Sequence, residues 1–155
     1  MQNGKYSIEE LKQKILNAIE TKQEGNHYDF KKGWSVKIED YLAMLNILSN
    51  QDSFIIIGFE EIKDEKNSIR YNITGLEKKE IKEQNSINDY VDSHVFPSPK
   101  GYVFINNVEM ENNKTIQIIS FEGRDFKPYL KKDKENIITE YYIRCNSSSC
   151  HATYL

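Results

Sequence analysis

The sequence predicts an α+β fold in which a mixed β-sheet carries about three helices, with residues 1–155 forming a single domain. Several segments place apolar residues at helical spacing, and they alternate with short runs rich in Ile, Val, Phe and Tyr that are typical of strands. No internal repeat, low-complexity linker or change of composition divides the chain, and its length suits one domain with its own core.

The first predicted helix covers residues 7–22. Ser7 can cap its N-terminus, and Glu10 can complete a capping box. The apolar face that follows comprises Ile8, Leu11, Ile15, Ala18 and Ile19. The helical pattern stops at Gly25 and Asn26, which favour an open turn.

The next predicted elements are a short strand at Tyr28–Lys31 and a second helix at residues 37–49. The most hydrophobic run of the chain, Phe54–Phe59, follows and is short, rich in Ile and flanked by polar residues. Such a run predicts a central strand that is covered on both faces. Residues 60–70 are charged and predict a hairpin tip, from which the chain returns as a strand at residues 70–75.

The second half of the chain continues the mixed pattern. A short helix is predicted next, capped by Ser86 and ended by Pro97. Two strands follow at residues 102–108 and 115–121, and a hairpin turn joins them. The chain then forms a polar loop at residues 123–136 and a last strand at residues 137–144, which leads into a Ser-rich turn. This order suits a mixed sheet with helices packed on it.

The net charge limits the strength of any purely electrostatic binding. Asp and Glu outnumber Lys and Arg by 24 to 21, which gives a formal net charge of −3. Affinity for nucleic-acid phosphates comes mostly from clustered Lys and Arg. The charge therefore argues against a strongly basic nucleic-acid binder, although it leaves room for a local basic face.

The N-terminus and the lengths of the apolar runs predict a cytoplasmic protein. No basic stretch leads into an apolar one at the N-terminus, and no apolar run approaches the ~20 residues that span a bilayer, so no membrane partner is expected. In that compartment Cys145 and Cys150 are expected to be free thiols, although a disulfide across their short gap stays open. No P-loop, dinucleotide fingerprint or nucleophile elbow occurs, so no organic cofactor is expected.

Three motifs follow one another along the chain. The first motif is Glu24, followed five positions later by Asp29 with Phe and Lys after it. The second is the helix that begins at Ile38 and leads into the hydrophobic run ending at Glu61. The third is Tyr141–Arg144, followed by Ser147–Ser149. In this order the motifs resemble the Schlafen-type divergent Alba (AlbA_2-like) domain family over about residues 24–152. The resemblance implies the same α+β fold in a single domain.

The turn before the hydrophobic run departs from the family pattern. Where the family has an Asn followed by two glycines, this chain reads Asn50-Gln-Asp-Ser53. Two glycines permit positive φ and a close backbone approach. Their absence weakens the expectation of a ligand contact at this turn.

Some relatives in this family are RNA endonucleases, and the resemblance therefore implies a candidate metal site. In those enzymes the two acids of the opening motif and a third acid after the central strand hold the metal, which here implies Glu24, Asp29 and either Glu60 or Glu61. Mg²⁺ or Mn²⁺ suits such carboxylates, and the ion can activate water and offset charge on a phosphate. The alternative is that these are solvated acids at the ends of elements.

Lysines near aromatic residues form candidate nucleic-acid contacts, since lysines bind phosphates while a ring stacks on a base. The candidates are Lys31, Lys32 and Lys37 around Trp34, and Lys127, Lys131, Lys132 and Lys134 beside Tyr129 in the loop that contains Pro128. Arg144 and the serines after it can hold an anion. In the alternative interpretation the lysines are a solvated surface, Trp34 is a half-buried packing residue and Arg144 pairs with an internal acid.

The leading functional prediction, implied by the resemblance, is a nucleic-acid-binding domain that contacts the phosphates of RNA or DNA through its basic clusters. A metal-dependent endoribonuclease is the first alternative, and a non-catalytic protein interaction module is the second. Self-association or membership of a larger assembly is a further expectation. The leading prediction assumes that the strands at 28–31, 54–59 and 137–144 share one sheet and present charge along one cleft.

Overall fold

The computed structural model describes residues 2–21, 27–47, 50–125, 128–133, 138–145 and 148–153. Within them lie the helices α1 (Ile8–Thr21), α2 (Ile38–Leu45) and α3 (Gln84–His94). Helix α1 begins where the sequence predicts because its capping box forms: the Glu10 amide donates to the Ser7 hydroxyl at 3.1 Å, and the Ser7 amide donates to Glu10 Oε1 at 3.2 Å. The α+β class and the single domain are those predicted.

The first sheet contains four strands in the order β1-β2-β7-β6. They are β1 (Tyr28–Lys31), β2 (Ser53–Ile57), β6 (Val103–Glu109) and β7 (Thr115–Phe121). β1 runs parallel to β2, with Asp29 opposite Ile55, whereas β2, β7 and β6 are antiparallel neighbours. The parallel pair is connected through α2, because parallel strands need a crossover.

The hydrophobic run at 54–59 is divided at Gly58. This residue has a φ of 118°, and a Cβ there would lie 2.8 Å from Cγ2 of Ile116. The chain leaves the first sheet at this point and enters the hairpin formed by β3 (Phe59–Lys63) and β4 (Ile69–Ile73). The predicted hairpin is confirmed, and its pairing extends outward to Lys63 opposite Ile69.

A second sheet, which the sequence did not predict, contains antiparallel strands in the order β10-β9-β8-β5. They are β5 (Val95–Phe96), β8 (Leu130–Lys132), β9 (Ile138–Cys145) and β10 (Ser148–Thr153). The sequence predicted a loop at residues 123–136, but Leu130–Lys132 of this segment form β8. It also predicted a Ser-rich turn after the last strand, but Ser148–Thr153 form β10.

The cysteines differ from the expectation of free thiols, because Cys150 is disulfide-bonded. The β9–β10 hairpin brings β10, which contains Cys150, beside β9, which ends at Cys145.

The expectation of one shared sheet is wrong, because β9 belongs to the second sheet while β1 and β2 belong to the first. Helix α2 contacts both β2 and β9. Asn46, which is buried and caps α2, donates through Nδ2 to the carbonyls of Tyr129 at 2.9 Å and Tyr142 at 3.0 Å, and its Oδ1 accepts from the Tyr129 amide at 2.6 Å. These bonds attach the second sheet to α2.

Apolar side chains cover both faces of the first sheet. On one face, Leu11 of α1 belongs to the same buried cluster as Ile56 of β2. On the other face, Leu42 of α2 and Val91 of α3 belong to the same cluster as Ile55 of β2. All residues of β2 are buried, which confirms the prediction that this strand is central and covered on both sides.

Side-chain amides cover part of the outer edge of β6. Gln84 donates to the β6 backbone at 3.0 Å and accepts from the Ile105 amide at 2.9 Å, while Asn3 Nδ2 donates to the Ile105 carbonyl at 2.9 Å. Helix α3 thus begins at Gln84 with Glu83 as N-cap, earlier than the predicted start at Ser86. Covering a sheet edge in this way disfavours pairing with another strand.

Candidate nucleic-acid interface

Lys31 lies among carboxylates where β1, α2 and β10 meet. Its ammonium is 3.4 Å from Oδ2 of Asp29 and 3.6 Å from Oδ2 of Asp40. The other carboxylate oxygen of Asp40 accepts from the Ser149 hydroxyl at 3.4 Å. The charge of Lys31 is shared by two carboxylates, so a phosphate would have to compete with them.

Two other predicted lysines, Lys32 and Lys37, are exposed in the segment that joins β1 to α2. The Lys32 ammonium is 3.3 Å from Oε1 of Glu60, and both side chains are accessible, at 66% and 39% exposure. An exposed ion pair of this kind contributes about 0–1 kcal/mol and is weakened by salt. Both ammonium groups are therefore accessible to a phosphate.

Trp34 lies in the same segment and packs partly buried against the core between the first sheet and α2. Its indole N–H donates to Oε1 of Gln117 at 3.0 Å. The ammonium of Lys82, just before α3, lies 4.5 Å from the centre of the Trp34 ring, within range of a cation–π contact. Sequence reasoning missed Lys82 and Gln117, because both are far from Trp34 along the chain and neither belongs to a local motif.

The second predicted lysine cluster differs from the expectation. Tyr129 is 1% exposed and belongs to the core, so the expectation that its ring is available to a base is wrong. The Lys131 ammonium is 3.6 Å from Oε1 of Glu39. The Lys132 ammonium donates to the Asp92 carbonyl at 3.4 Å, in the last turn of α3, where a cation is favourable.

Several predicted site residues are beyond what the structure describes. Lys127, Lys134 and Glu24 lie outside the described residues. Arg144 is described in its backbone, which is opposite Ser149 in the β9–β10 pair. The proposed roles of these side chains stay predictions.

The acids of the predicted metal site take different partners. Asp29 is 3% exposed and lies beside Lys31, whereas Glu60 and Glu61 of β3 pair with two other lysines. Among the described residues, no three Asp, Glu, His or Cys side chains are grouped so that they could hold a metal ion. Because Glu24 lies outside these residues, the full triad stays a prediction.

In the turn before β2, the Asp52 carboxylate is bonded to other groups of the protein. Its carboxylate accepts from the Gly123 amide at 2.7 Å, lies 2.6 Å from the Lys5 ammonium and accepts from the Tyr6 hydroxyl. Burial alone would raise the pKa of Asp52, but the bonds from Lys5, Tyr6 and Gly123 outweigh burial and lower that pKa. Burial, followed by the bond to Asp52, raises the pKa of Tyr6.

Gly123 supplies the close backbone approach at this turn. A Cβ at Gly123 would overlap the carbonyl oxygen of Asn50. The chain thus lacks two glycines within the turn but has one in the segment that faces it. The Asp52 carboxylate is committed to protein donors.

The fold is shared with a domain of known structure. The solution structure of the N-terminal domain of a protein from Nitrosomonas europaea, whose name relates it to the ATP-dependent DNA helicase RecG, matches with a TM-score of 0.61 and 18% identity. The match covers 78% of this chain and 80% of that chain. At this identity the similarity establishes a common α+β fold.

The sequence matches the family model described as Schlafen, AlbA_2 over residues 10–153. The match spans nearly the whole chain, so the protein belongs to the Schlafen AlbA_2 family, and the resemblance drawn from its three motifs is confirmed. No curated protein matches the chain. In the part of the chain that the structure describes, the helices are too short or too polar to cross a membrane.

Proposed function

We propose that this protein is a nucleic-acid-binding domain that contacts phosphate groups through lysines around Trp34. Membership of the AlbA_2 family and the fold shared with a domain named after a DNA helicase both favour an association with nucleic acid. RNA and DNA are both retained as partners. The domain acts in this proposal without an organic cofactor.

The observation that carries the proposal is a surface that we call the Trp34 surface, formed by Lys32, Trp34, Lys37 and Lys82. Lys82 covers the Trp34 ring, and the other two lysines lie in the segment that contains it. All three lysines are exposed. Ammonium groups bind the phosphates of a strand while an aromatic ring stacks on a base, so this combination suits a nucleic acid.

The surrounding acids limit the affinity that this surface can provide. The net charge is −3, and Glu60 lies beside Lys32. We therefore expect dissociation constants in the range of non-specific binding, about 10⁻⁴–10⁻⁶ M at physiological salt. Lys31 and Lys131 are proposed as weaker contacts, because they are paired with carboxylates and their side chains are 25% and 34% exposed, against 66% for Lys32. Lys127, Lys132 and Arg144 are retained as peripheral contacts on the sequence alone.

Fluorescence anisotropy of labelled RNA and DNA oligonucleotides over a salt series tests the proposal. We expect binding at low salt, and we expect the Lys32→Ala/Lys37→Ala double variant to bind more weakly. Each lost contact with a single strand should flatten the dependence of log affinity on log salt by about 0.7, hence by about 1.4 for the pair. Absence of binding at low salt would refute the proposal.

A matched control distinguishes the effect of the Trp34 surface on binding from the effect of net charge. Lys63 and Lys66 are exposed on the β3–β4 hairpin. Lys63→Ala/Lys66→Ala removes the same charge and should leave the salt dependence unchanged. An equal effect of the two double variants would assign the binding to overall charge and would contradict the Trp34 surface.

A further inference from the structure

Gln117 holds the Trp34 ring in a fixed orientation. Its side chain is 0% exposed, and Oε1 accepts from the Trp34 indole at 3.0 Å and from the Lys82 amide at 3.1 Å. Nε2 donates to the Lys82 carbonyl at 2.9 Å and to Oδ1 of Asn107 at 2.7 Å. A buried amide whose donors and acceptors are all satisfied is a rigid anchor, because any rotation leaves polar groups unpaired.

The Lys82 side chain is held over the ring less firmly than the Lys82 backbone is held by Gln117. The backbone of Lys82 is fixed by Gln117 through both its N–H and its carbonyl, whereas the side chain is exposed and places its ammonium over the ring. A cation–π contact at an exposed site is weak. The ammonium can therefore leave the ring while the Lys82 backbone and Trp34 stay in place.

A cleft of ≈ 320 Å³ adjoins this cover, since Lys82 and Asn107 also line it. The rest of its lining is mostly amide and apolar: Asn3, Gln84, Asn106, Ile8 and Ile105, together with Glu83. The amides of Asn3, Gln84 and Asn106 already make hydrogen bonds within the protein, so the contacts that the cleft offers a base are mainly with its apolar side chains. The Glu83 carboxylate disfavours a phosphate there, so the cleft suits a base better than a phosphate.

We propose that the Trp34 surface and this cleft bind single-stranded nucleic acid through an unpaired base that stacks on Trp34 in place of the Lys82 ammonium. The displaced ammonium then binds the adjoining phosphate, and the cleft receives the neighbouring base. This inference rests on the proposed function and narrows its ligand to a single strand. A duplex keeps its bases stacked on one another and offers the indole no free base face.

Trp34 is the single tryptophan of the chain, so its fluorescence reports on this site directly. Single-stranded RNA or DNA of uniform sequence should quench the emission, with the same dissociation constant that anisotropy gives for that oligonucleotide. Duplexes of equal length should quench little. Separate titrations with RNA and with DNA show which strand is preferred.

The possible results separate the inference from the proposed function. Binding by anisotropy with unchanged Trp34 emission would overturn the stacking site and leave the proposed function standing. Equal quenching by duplex and single strand would overturn the preference for a single strand. No binding by either method would overturn both proposals.

Substitutions give a second readout that does not depend on the emission. Trp34→Phe keeps a stacking ring and should bind within about threefold of the wild type, whereas Trp34→Ala should bind roughly tenfold more weakly or worse. Lys82→Met should lower the salt slope by about 0.7. The control Lys79→Met alters an exposed lysine of the same segment, which pairs with Glu77, and should leave the slope unchanged.

Two outcomes of these substitutions would contradict the site. If log affinity depends on log salt with the same slope in Lys82→Met and Lys79→Met, Lys82 is not part of the binding site. Should Trp34→Ala fail to fold, Trp34→Leu serves in its place, because it retains apolar volume without a ring. Wild-type affinity in that variant would overturn the stacking role.

Discussion

Two buried amides, Asn46 and Gln117, connect the parts of this domain at the scale of single residues. Asn46 joins α2 to the strands of the second sheet, and Gln117 joins β7 to Trp34, Lys82 and Asn107. The sequence did not single out either amide, because a lone Asn or Gln carries no motif. Their importance comes from partners that the fold brings from distant parts of the chain.

The bonds of Asn46 predict a large loss of stability in Asn46→Ala. The substitution leaves the Tyr129 amide without its acceptor and the carbonyls of Tyr129 and Tyr142 without their Nδ2 donor. Each buried group left unsatisfied costs about 1–3 kcal/mol, so with three such groups we expect a loss of at least about 3 kcal/mol in the free energy of unfolding. Urea denaturation followed by circular dichroism measures it.

The control for this substitution is Asn72→Ala. Asn72 is exposed on β4, so its loss should change stability by less than about 0.5 kcal/mol. A similar result for the two variants would show that Asn46 does not hold the second sheet.

The lowered pKa of Asp52 predicts that the free energy of unfolding depends on pH in the acidic range. Its pKa is lowered in the folded protein from an ordinary value of 3.8, so its contribution is fully present above that value and is lost as pH falls through the lower, folded pKa. We expect Asp52→Asn to be less stable at neutral pH and to lose less stability on acidification. Parallel curves of unfolding free energy against pH for the two proteins would contradict this role.

The endoribonuclease alternative depends on Glu24, which lies outside the described residues, and on Asp29, whose carboxylate is 3.4 Å from the Lys31 ammonium. Incubation of structured RNA with Mg²⁺ or Mn²⁺, followed by gel analysis of the products, tests it. Cleavage that requires the metal and disappears in Glu24→Gln and Asp29→Asn would establish the endoribonuclease, and cleavage that persists in both variants would contradict this site.

At the scale of elements, the sequence predicted the parts whose signals are local. The capping box of α1, the hydrophobic run of β2 and the β6–β7 hairpin depend on residues close together in the chain. The missed elements have no such signal. β8 is three residues long and carries two lysines, and β10 begins with serines, which have little preference for strands. Both are strands because β9 pairs with them.

The backbone conformation at Gly58, where β2 ends and β3 begins, predicts that a larger residue at this position lowers stability. Gly58→Ala combines a φ of 118° with a Cβ placed 2.8 Å from Ile116, so we expect a loss of about 2–4 kcal/mol in unfolding free energy. Gly33→Ala is the matched control, because a Cβ at Gly33 meets nothing within 4 Å. Thermal or urea unfolding compares them, and equal stability of the two variants would show that the break does not require glycine.

At the scale of the whole molecule, the sequence located three of the four residues of the Trp34 surface. Trp34 and its neighbouring lysines stood out as a local cluster, whereas Gln117 and Lys82 reach the ring only through folding. The expectation of a single charged sheet was wrong, because α2 lies between β2 and the strands of the second sheet. The Trp34 surface does not require that single sheet, since its residues lie beside the first sheet and α3.

The salt dependence of binding to a single-stranded oligonucleotide tests the central claim most directly. Lys32, Lys37 and Lys82 should together contribute about −2 to the slope of log affinity against log salt, since each phosphate contact with a single strand contributes about −0.7, and any peripheral contact makes the slope steeper. Affinity that does not change with salt, or no measurable binding at low salt, would contradict the claim that this domain binds nucleic acid through these lysines.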